Sequence, residues 1–102
     1  MNKKDLLNKE SHSYDLVLVE FYADWCPHCQ RMKPVVKELE EKSKDDLSLL
    51  VKVNIDDEEE LANEYEVDTI PTFILMRKGE QLWRQSGELT LEKLEKALEI
   101  NK

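Results

Sequence analysis

The sequence predicts an α/β fold, in which a mixed four-stranded sheet is flanked by helices on both faces. The chain has 102 residues, the length of one domain, and we expect a single domain over residues 1–102. Its composition is 40% hydrophobic with only two glycines, which indicates regular structure around one core. Apolar β-rich runs alternate with amphipathic helical segments, and this alternation is typical of parallel strands joined by crossover helices.

The first half of the chain contains three predicted elements. A short helix is expected over Lys3–Glu10. Leu16–Tyr22 is an almost continuous apolar run, typical of a strand that is covered on both faces. A helix follows over Pro27–Lys44, and Pro34 inside it is expected to cause a kink. The inner face of this helix has apolar residues at helical spacing: Met32, Val35, Val36 and Leu39.

The middle of the chain predicts a second strand over Leu47–Ile55, which is rich in Val, Leu and Ile. Asp56 and Glu59 then favour a helix start, because carboxylates stabilise the positive end of the helix dipole. The expected inner face of this helix consists of Leu61, Ala62 and Tyr65.

The last third predicts a β-hairpin and a final helix. Thr72–Arg77 and Glu80–Gln85 are expected to be strands joined by a tight turn at Lys78 and Gly79. Thr90 is a predicted N-cap. The final helix has an apolar stripe at helical spacing: Leu91, Leu94, Ala97 and Leu98. The predicted order is therefore α-β-α-β-α-β-β-α.

Charge and hydropathy exclude several classes of partner. The net charge of −8 argues against nucleic acid and against anionic membrane surfaces, since both require a basic face. No segment has the apolar length of a transmembrane helix, and no signal peptide is visible. We expect a cytoplasmic protein; the alternative is an exported protein whose signal peptide is absent from this sequence. No heptad pattern is present, so a monomer is expected.

The two cysteines, Cys26 and Cys29, lie in one Cys-Pro-His-Cys motif between a predicted strand and a helix. A bridge between them would close almost no loop, so its value must be chemical rather than structural. Cys26 is expected at the helix N-cap, where unpaired N–H groups and the helix dipole favour the thiolate, which is the reactive form. Cys26 would attack the substrate, and the deeper Cys29 would resolve the mixed disulfide.

The residues between the cysteines are expected to tune their chemistry. Pro27 suits the first helical turn, where its missing N–H does no harm. An imidazolium at His28 would stabilise the thiolate and make the disulfide more oxidising, although an exposed histidine without a role is the simpler alternative. Zinc binding by Cys26, His28 and Cys29 is a rival hypothesis, but the second ligand pair of a structural site is missing. No metal and no organic cofactor is expected.

Several motifs together resemble the thioredoxin family from Leu16 onward. They are the strand and active-site sequence Val19-Glu20-Phe21-Tyr22-Ala23-Asp24-Trp25-Cys26, Pro34, Val53-Asn54-Ile55-Asp56, Thr69-Ile70-Pro71-Thr72, Gly79 and Gly87. The resemblance implies a thioredoxin-like fold. It also implies that Pro71 is cis and packs against the cysteines, and that Trp25, Ile70, Pro71 and Gly87 form a flat apolar surface for a substrate backbone.

The resemblance further implies a buried acid at Glu20, which would accept the proton of Cys29, with Lys52 as its partner. From the residues alone, Glu20 is a charge inside an apolar strand, which is costly unless it is protonated or paired. The alternative is that Glu20 turns to an edge and reaches water. Pro71 could likewise be an ordinary trans proline, and Lys52 merely a strand lysine.

The chain departs from the family at Pro27-His28, where thioredoxins usually carry Gly-Pro. This dipeptide is that of the DsbA-type bacterial oxidases, and it predicts a potential above thioredoxin's, which is about −270 mV. The expected function is that of a protein-disulfide oxidoreductase cycling Cys26 and Cys29, recycled by a second protein or a small thiol. The alternatives are a thioredoxin-fold binding module with idle thiols and a metal-binding protein.

Overall fold

The sheet has four strands in the order β2-β1-β3-β4 in the computed structural model, which describes residues 15–45, 47 and 49–101. The strands are β1 (Leu16–Tyr22), β2 (Leu49–Asn54), β3 (Thr72–Arg77) and β4 (Glu80–Ser86). The helices are α1 (Pro27–Lys42), α2 (Glu59–Glu64) and α3 (Leu91–Ile100). Strand β1 pairs parallel with β2 and antiparallel with β3, and β3 pairs antiparallel with β4. The predicted mixed sheet is therefore confirmed.

Alternate residues of β1 contribute to two apolar clusters on opposite faces of the sheet, as the twofold repeat of a strand requires. Leu16 and Leu18 belong to the cluster that contains side chains of α1 and α3. Val17 and Val19 belong to the cluster that contains side chains of α2. Helices thus cover both faces, and Glu20 lies on the face of Leu16 and Leu18, where α1 packs.

The hairpin between β3 and β4 turns at Lys78 and Gly79, as the sequence predicts. Lys78 has a φ of 50° and Gly79 a φ of 83°. Positive φ at both central residues gives a two-residue turn the twist of its flanking strands. Strand β4 extends one residue past its predicted end, to Ser86, which pairs with Thr72.

Besides the end of β4, three element ends differ from the predictions by one or two residues, namely the end of α1 and both ends of β2. Helix α1 ends at Lys42, since the backbone of its C-cap Ser43 has left the helical conformation, with φ −111° and ψ 26°. Strand β2 is shorter than Leu47–Ile55 at both ends. Helix α2 begins at Glu59, one of the two residues that favour its start in the sequence, while the N–H of the other, Asp56, donates to Asn54 Oδ1 at 2.9 Å. Before α2, a local polar side chain thus binds a backbone N–H, and periodicity does not show such a contact.

The final helix matches its prediction. Thr90 accepts a hydrogen bond from the N–H of Lys93 at 3.1 Å, and the buried stripe consists of Leu94, Ala97 and Leu98, with Leu91 half-buried. The predicted helix Lys3–Glu10 lies outside the described residues. Helix α1 continues through Pro34, and its kink stays a prediction. Within 15–45, 47 and 49–101, no helix is long and apolar enough to cross a membrane.

Candidate active site

Cys26 is the N-cap of α1, as the sequence predicts. Its backbone is extended, with φ −88° and ψ 114°, and its Sγ accepts a hydrogen bond from the N–H of Cys29 at 3.2 Å. Pro27 occupies the start of the helix, where it leaves no donor unsatisfied. The sulfur of Cys26 therefore faces the unpaired N–H groups of the first turn, which stabilise negative charge.

Both cysteines are free thiols and both are buried, with 3% of Cys26 and 2% of Cys29 exposed. Cys29 is thus the more buried of the two, as expected, but only by this small margin. Burial, and next the hydrogen bond with Cys26, raise the pKa of Cys29 to about 12. Cys29 is thus a protonated thiol that requires a base before it can react.

The loop before β3 lies against Cys26. The Ile70–Pro71 peptide bond is cis, as the sequence resemblance implies, and Pro71 is buried. The Cys26 thiol lies 3.9 Å from the carbonyl oxygen of Ile70, to which it donates. The carbonyl of Pro71 in turn accepts from the N–H of Gly87 at 2.8 Å. Three segments that are distant in sequence therefore meet at the first turn of α1.

The surface around this meeting point is open and partly apolar. Trp25 is 66% exposed, and its Nε1–H donates to Asp56 Oδ2 at 2.9 Å, which holds the indole on the surface. Ile70 is half-buried. Gly87 has a φ of 95°, and a Cβ atom there would meet nothing within 4 Å. The glycine is therefore required by its backbone conformation, and the space above it is open.

Glu20 lies on the other side of Cys29, in a cavity of about 230 Å³. The cavity is lined by Glu20, Tyr22, Asp24, Cys29, Lys33 and Lys52. Glu20 is only 4% exposed, so the alternative that it reaches water at an edge is wrong. Burial raises the pKa of Glu20 to about 7, against the opposing charges of Lys52 and then Lys33. Lys52 is its partner in the register of β1 and β2.

His28 is exposed, and its nearest polar partner is Glu88. His28 Nδ1 lies 2.7 Å from Glu88 Oε2. Arg31 donates to the same carboxylate twice, from Nε to Oε1 at 2.8 Å and from Nη2 to Oε2 at 2.9 Å. The hydrogen bonds from Arg31 and then from His28 lower the pKa of Glu88 to about 2. The predicted imidazolium would therefore lie beside a carboxylate as well as beside the cysteines.

Three residues of this region were absent from the sequence prediction: Arg31, Lys33 and Glu88. The two on α1 had a signal, because residues three or four apart share a helix face. Arg31 is three residues after His28, and Lys33 is four residues after Cys29. Glu88 had none beyond its position after Gly87, since only the folded chain brings it to α1.

No group of three or more histidine, cysteine, aspartate or glutamate side chains that could hold a metal ion occurs in the part of the chain that the structure describes. Such a group is what the zinc hypothesis for Cys26, His28 and Cys29 requires.

A CxxC pair that opens a helix, beside a cis-proline loop and above a mixed four-stranded sheet, defines the thioredoxin-like class of thiol proteins. The family model for thioredoxin matches residues 2–100 of the chain. The chain belongs to the thioredoxin family.

Individual relatives agree with this assignment. Chloroplastic thioredoxin Y of Oryza sativa subsp. japonica is 38% identical over 90 residues, which cover 84% of this chain and 53% of that protein. The thioredoxin of Chlamydia caviae is 42% identical over 72 residues, covering 71% of this chain and 69% of that one. The chain thus spans about half the length of the chloroplastic relatives that it matches.

Solved structures give the same result. The reduced thioredoxin pre-protein of Schistosoma mansoni superposes with a TM-score of 0.81 at 36% identity, covering 95% of this chain and 87% of that chain. A thioredoxin of Nicotiana alata superposes with a TM-score of 0.82 at 28% identity, covering 97% of this chain and 82% of that chain.

Proposed function

We propose that this chain is a thiol–disulfide oxidoreductase that exchanges disulfides with protein substrates through Cys26 and Cys29. The observation that carries the proposal is the position of Cys26 Sγ. It accepts the N–H of Cys29 at the N-terminus of α1 and lies against the Ile70–Pro71 loop. Relatives that carry the name thioredoxin support the same chemistry.

The first step is attack by the Cys26 thiolate on a substrate disulfide. One S–S bond forms between Cys26 and one substrate sulfur, while the substrate S–S bond breaks and the other sulfur leaves as a thiolate. The N–H groups of the first turn stabilise the attacking charge before this step. Trp25, Ile70, Pro71 and Gly87 form the docking surface, and the open space at Gly87 admits an extended substrate backbone.

The second step is attack by Cys29 on the Cys26 sulfur of the mixed disulfide. Cys29 first loses its proton to the Glu20 carboxylate, directly or through a water molecule in their shared cavity. The new Cys26–Cys29 bond then forms as the second substrate sulfur leaves as a thiolate. The substrate gains two electrons and the cysteine pair loses two. Exchange in the opposite direction follows the same path backwards.

Formation of the mixed disulfide changes the pKa of Cys29 in a way that favours this second step. The hydrogen bond and charge of Cys26 contribute to the raised pKa of Cys29. Both contributions disappear when Cys26 is bound to a substrate sulfur. The pKa of Cys29 therefore falls at the stage when its thiolate is required, and the proton moves more easily to Glu20. Lys52 is the partner that keeps part of the Glu20 population ionised.

The partners of this reaction are protein disulfides or dithiols, together with a recycling protein or small thiol of matching redox chemistry. The reaction needs no metal and no organic cofactor, because the redox-active group is the Cys26–Cys29 disulfide. His28 and Pro27 tune its potential. The chain works as a monomer, and a cytoplasmic location stays a prediction.

Two serine variants test the assignment of roles. Cys26→Ser abolishes exchange with a disulfide-bonded protein, because no other thiol in the chain can start the reaction as Cys26 does. Cys29→Ser accumulates a covalent substrate adduct that dithiothreitol releases, because the resolving thiol is missing. Non-reducing electrophoresis and mass spectrometry follow both outcomes. Exchange retained by Cys26→Ser, or no adduct on Cys29→Ser, would contradict these two roles.

The reduction potential of the wild-type pair is the companion measurement. The protein is equilibrated in graded reduced and oxidised glutathione, and its thiols are counted by the mass shift after alkylation. The proposal requires an intramolecular disulfide with a defined potential. If none forms, the chain is a thioredoxin-fold binding module with idle thiols, and the exchange reaction is wrong.

A further inference from the structure

We propose that Glu88 is a positioning residue that lowers the reduction potential of the Cys26–Cys29 pair by offsetting the positive charge of Arg31, and that of His28 when the imidazole is protonated. The inference rests on the proposed function, because a potential exists only if the two cysteines cycle. Glu88 has no counterpart in the motifs that link this chain to its family. Its role follows from its contacts in the folded protein.

The carboxylate of Glu88 joins two parts of the molecule. Glu88 lies in the segment between β4 and α3, one residue after Gly87, while its partners lie in the first two turns of α1. Arg31 holds both carboxylate oxygens through parallel hydrogen bonds of 2.8 and 2.9 Å. This two-point geometry fixes the orientation of the carboxylate and not only its distance.

The second partner is the histidine of the active-site motif itself. His28 Nδ1 lies 2.7 Å from Glu88 Oε2 and 2.8 Å from Arg31 Nη2. Nδ1 accepts from Arg31 when the imidazole is neutral and donates to Glu88 when it is protonated. In both protonation states, the ring nitrogen is therefore held by the Arg31–Glu88 pair.

The charge of Arg31 acts on the sulfur of Cys26. Arg31 belongs to the helix that Cys26 caps, and its pKa is raised first by Glu88 and also by the charge of Cys26. Because the pKa of Glu88 is lowered to about 2, its carboxylate is ionised throughout the range in which thiols exchange. A fixed negative charge thus lies against Arg31 and against His28, which is cationic only when its imidazole is protonated.

The effect on the redox couple follows from its balance. The Cys26–Cys29 disulfide takes up two electrons and two protons to give two thiols, or two electrons and one proton where Cys26 is held as the thiolate. Positive charge beside this thiolate stabilises the reduced form and raises the potential. Glu88 cancels part of that charge. The chain therefore carries an oxidase-like Pro27-His28 dipeptide together with a carboxylate that opposes its effect.

Glu88→Gln is the test, because glutamine keeps an acceptor for Arg31 and removes the charge. We expect the equilibrium constant with glutathione to shift toward the reduced protein by about three- to tenfold, which is about 15 to 30 mV upward for a two-electron couple. Glu88→Asp keeps the charge and should restore most of the wild-type potential. Glu92→Gln removes the same charge from an exposed position in the first turn of α3, and it should leave the potential unchanged.

The decisive comparison uses a His28→Gln background, in which no imidazole can gain or lose a proton when the carboxylate is removed. Adding Glu88→Gln there should still raise the potential, because Arg31 keeps its charge. An unchanged potential in this pair overturns the inference. A loss of thermal stability at constant potential also overturns it, since Glu88 would then only tie α1 to the neighbouring loop.

Failure of this inference is distinct from failure of the proposed function. If the wild-type chain forms no intramolecular disulfide, the proposed function itself is wrong. If the wild type has a defined potential and the Glu88→Gln variants share the potentials of their parents, only the role of Glu88 is wrong.

Discussion

Two carboxyl groups lie next to the first turn of α1, which carries the cysteines, and their surroundings shift their pKa values in opposite directions. Glu20 is buried behind Cys29, and burial raises its pKa to about 7. Glu88 is on the surface, and its hydrogen bonds with Arg31 and His28 lower its pKa to about 2. The buried group can therefore exchange a proton near neutral pH, whereas the surface group acts only as a fixed charge.

The comparison shows that burial and ion pairing shift the pKa values of two glutamate side chains in opposite directions and thereby give them different roles. Lysines also approach Glu20, but Lys52 and Lys33 do not offset the cost of burial. At Glu88 the direct hydrogen bonds prevail, because little desolvation opposes them. Variants that remove the charge of Glu20 or of its neighbours test whether burial is the main cause of the raised pKa of Glu20.

The largest expected effect is on stability. Because the folded-state pKa of Glu20 is about 7 and its ordinary value is 4.5, the folded protein binds a proton more tightly than the unfolded chain does. The stability from this group is fully present below about pH 4.5 and is lost as the pH rises through about 7. Glu20→Gln removes this loss and should stabilise the fold by about 3 kcal/mol at about pH 8.

Urea unfolding at about pH 5 and about pH 8 measures this effect. Glu60→Gln is the matched control, since Glu60 is exposed and its variant should show no comparable gain at the higher pH. If Glu20→Gln gains nothing between the two pH values, the carboxyl is not held protonated by burial.

The next effect is on the second chemical step. Glu20→Gln should slow the attack of Cys29 by about 10- to 100-fold near neutral pH, because the proton of the thiol has lost its acceptor. A mixed disulfide of Cys26 with thionitrobenzoate reports this step directly, since resolution releases the coloured thiolate. Formation of that mixed disulfide, which depends on Cys26, should keep its rate. A variant that slows both steps alike would show a general distortion of the site.

The smallest effect concerns the lysines of the cavity. Lys52→Met and Lys33→Met each remove a charge that favours ionised Glu20, so the pKa of Glu20 should rise. The midpoint of the pH dependence of the rate of Cys29 attack should then move to higher pH. The shift should be roughly half a pH unit or less, because both lysines are exposed and screened, and it should be larger for Lys52. Lys37→Met, one turn beyond Lys33 on α1, is the control and should leave the profile in place.

The part of the site around Cys26 and Glu20 was largely predictable from the sequence. A glutamate inside the apolar run of β1 requires an explanation wherever it occurs, and Cys26 before Pro27 indicates a capped helix start. The surface contacts of Glu88 were not predictable. Arg31 and His28 share a helix face, but Glu88 reaches them from 57 and 60 residues away, and no local pattern encodes such a contact.

Element boundaries were the other part that sequence could not supply. Periodicity defines which face of α1 is buried, but it does not define where the backbone leaves the helix, which happens at Ser43, with φ −111° and ψ 26°. Before α2, the side chain of Asn54 binds the N–H of Asp56. This bond forms between neighbours whose residue types permit several local conformations.

The hydrogen bond from the Gly87 N–H to the Pro71 carbonyl allows the separation of these two loops to be measured by hydrogen exchange. The Gly87 amide bonds to another loop and not to its own helix or strand, so its proton can exchange with deuterated solvent only when the two loops separate. Its protection factor therefore measures how often the substrate face opens in solution. An amide that takes no part in the redox chemistry can thus register substrate docking, independently of any change in thiol state.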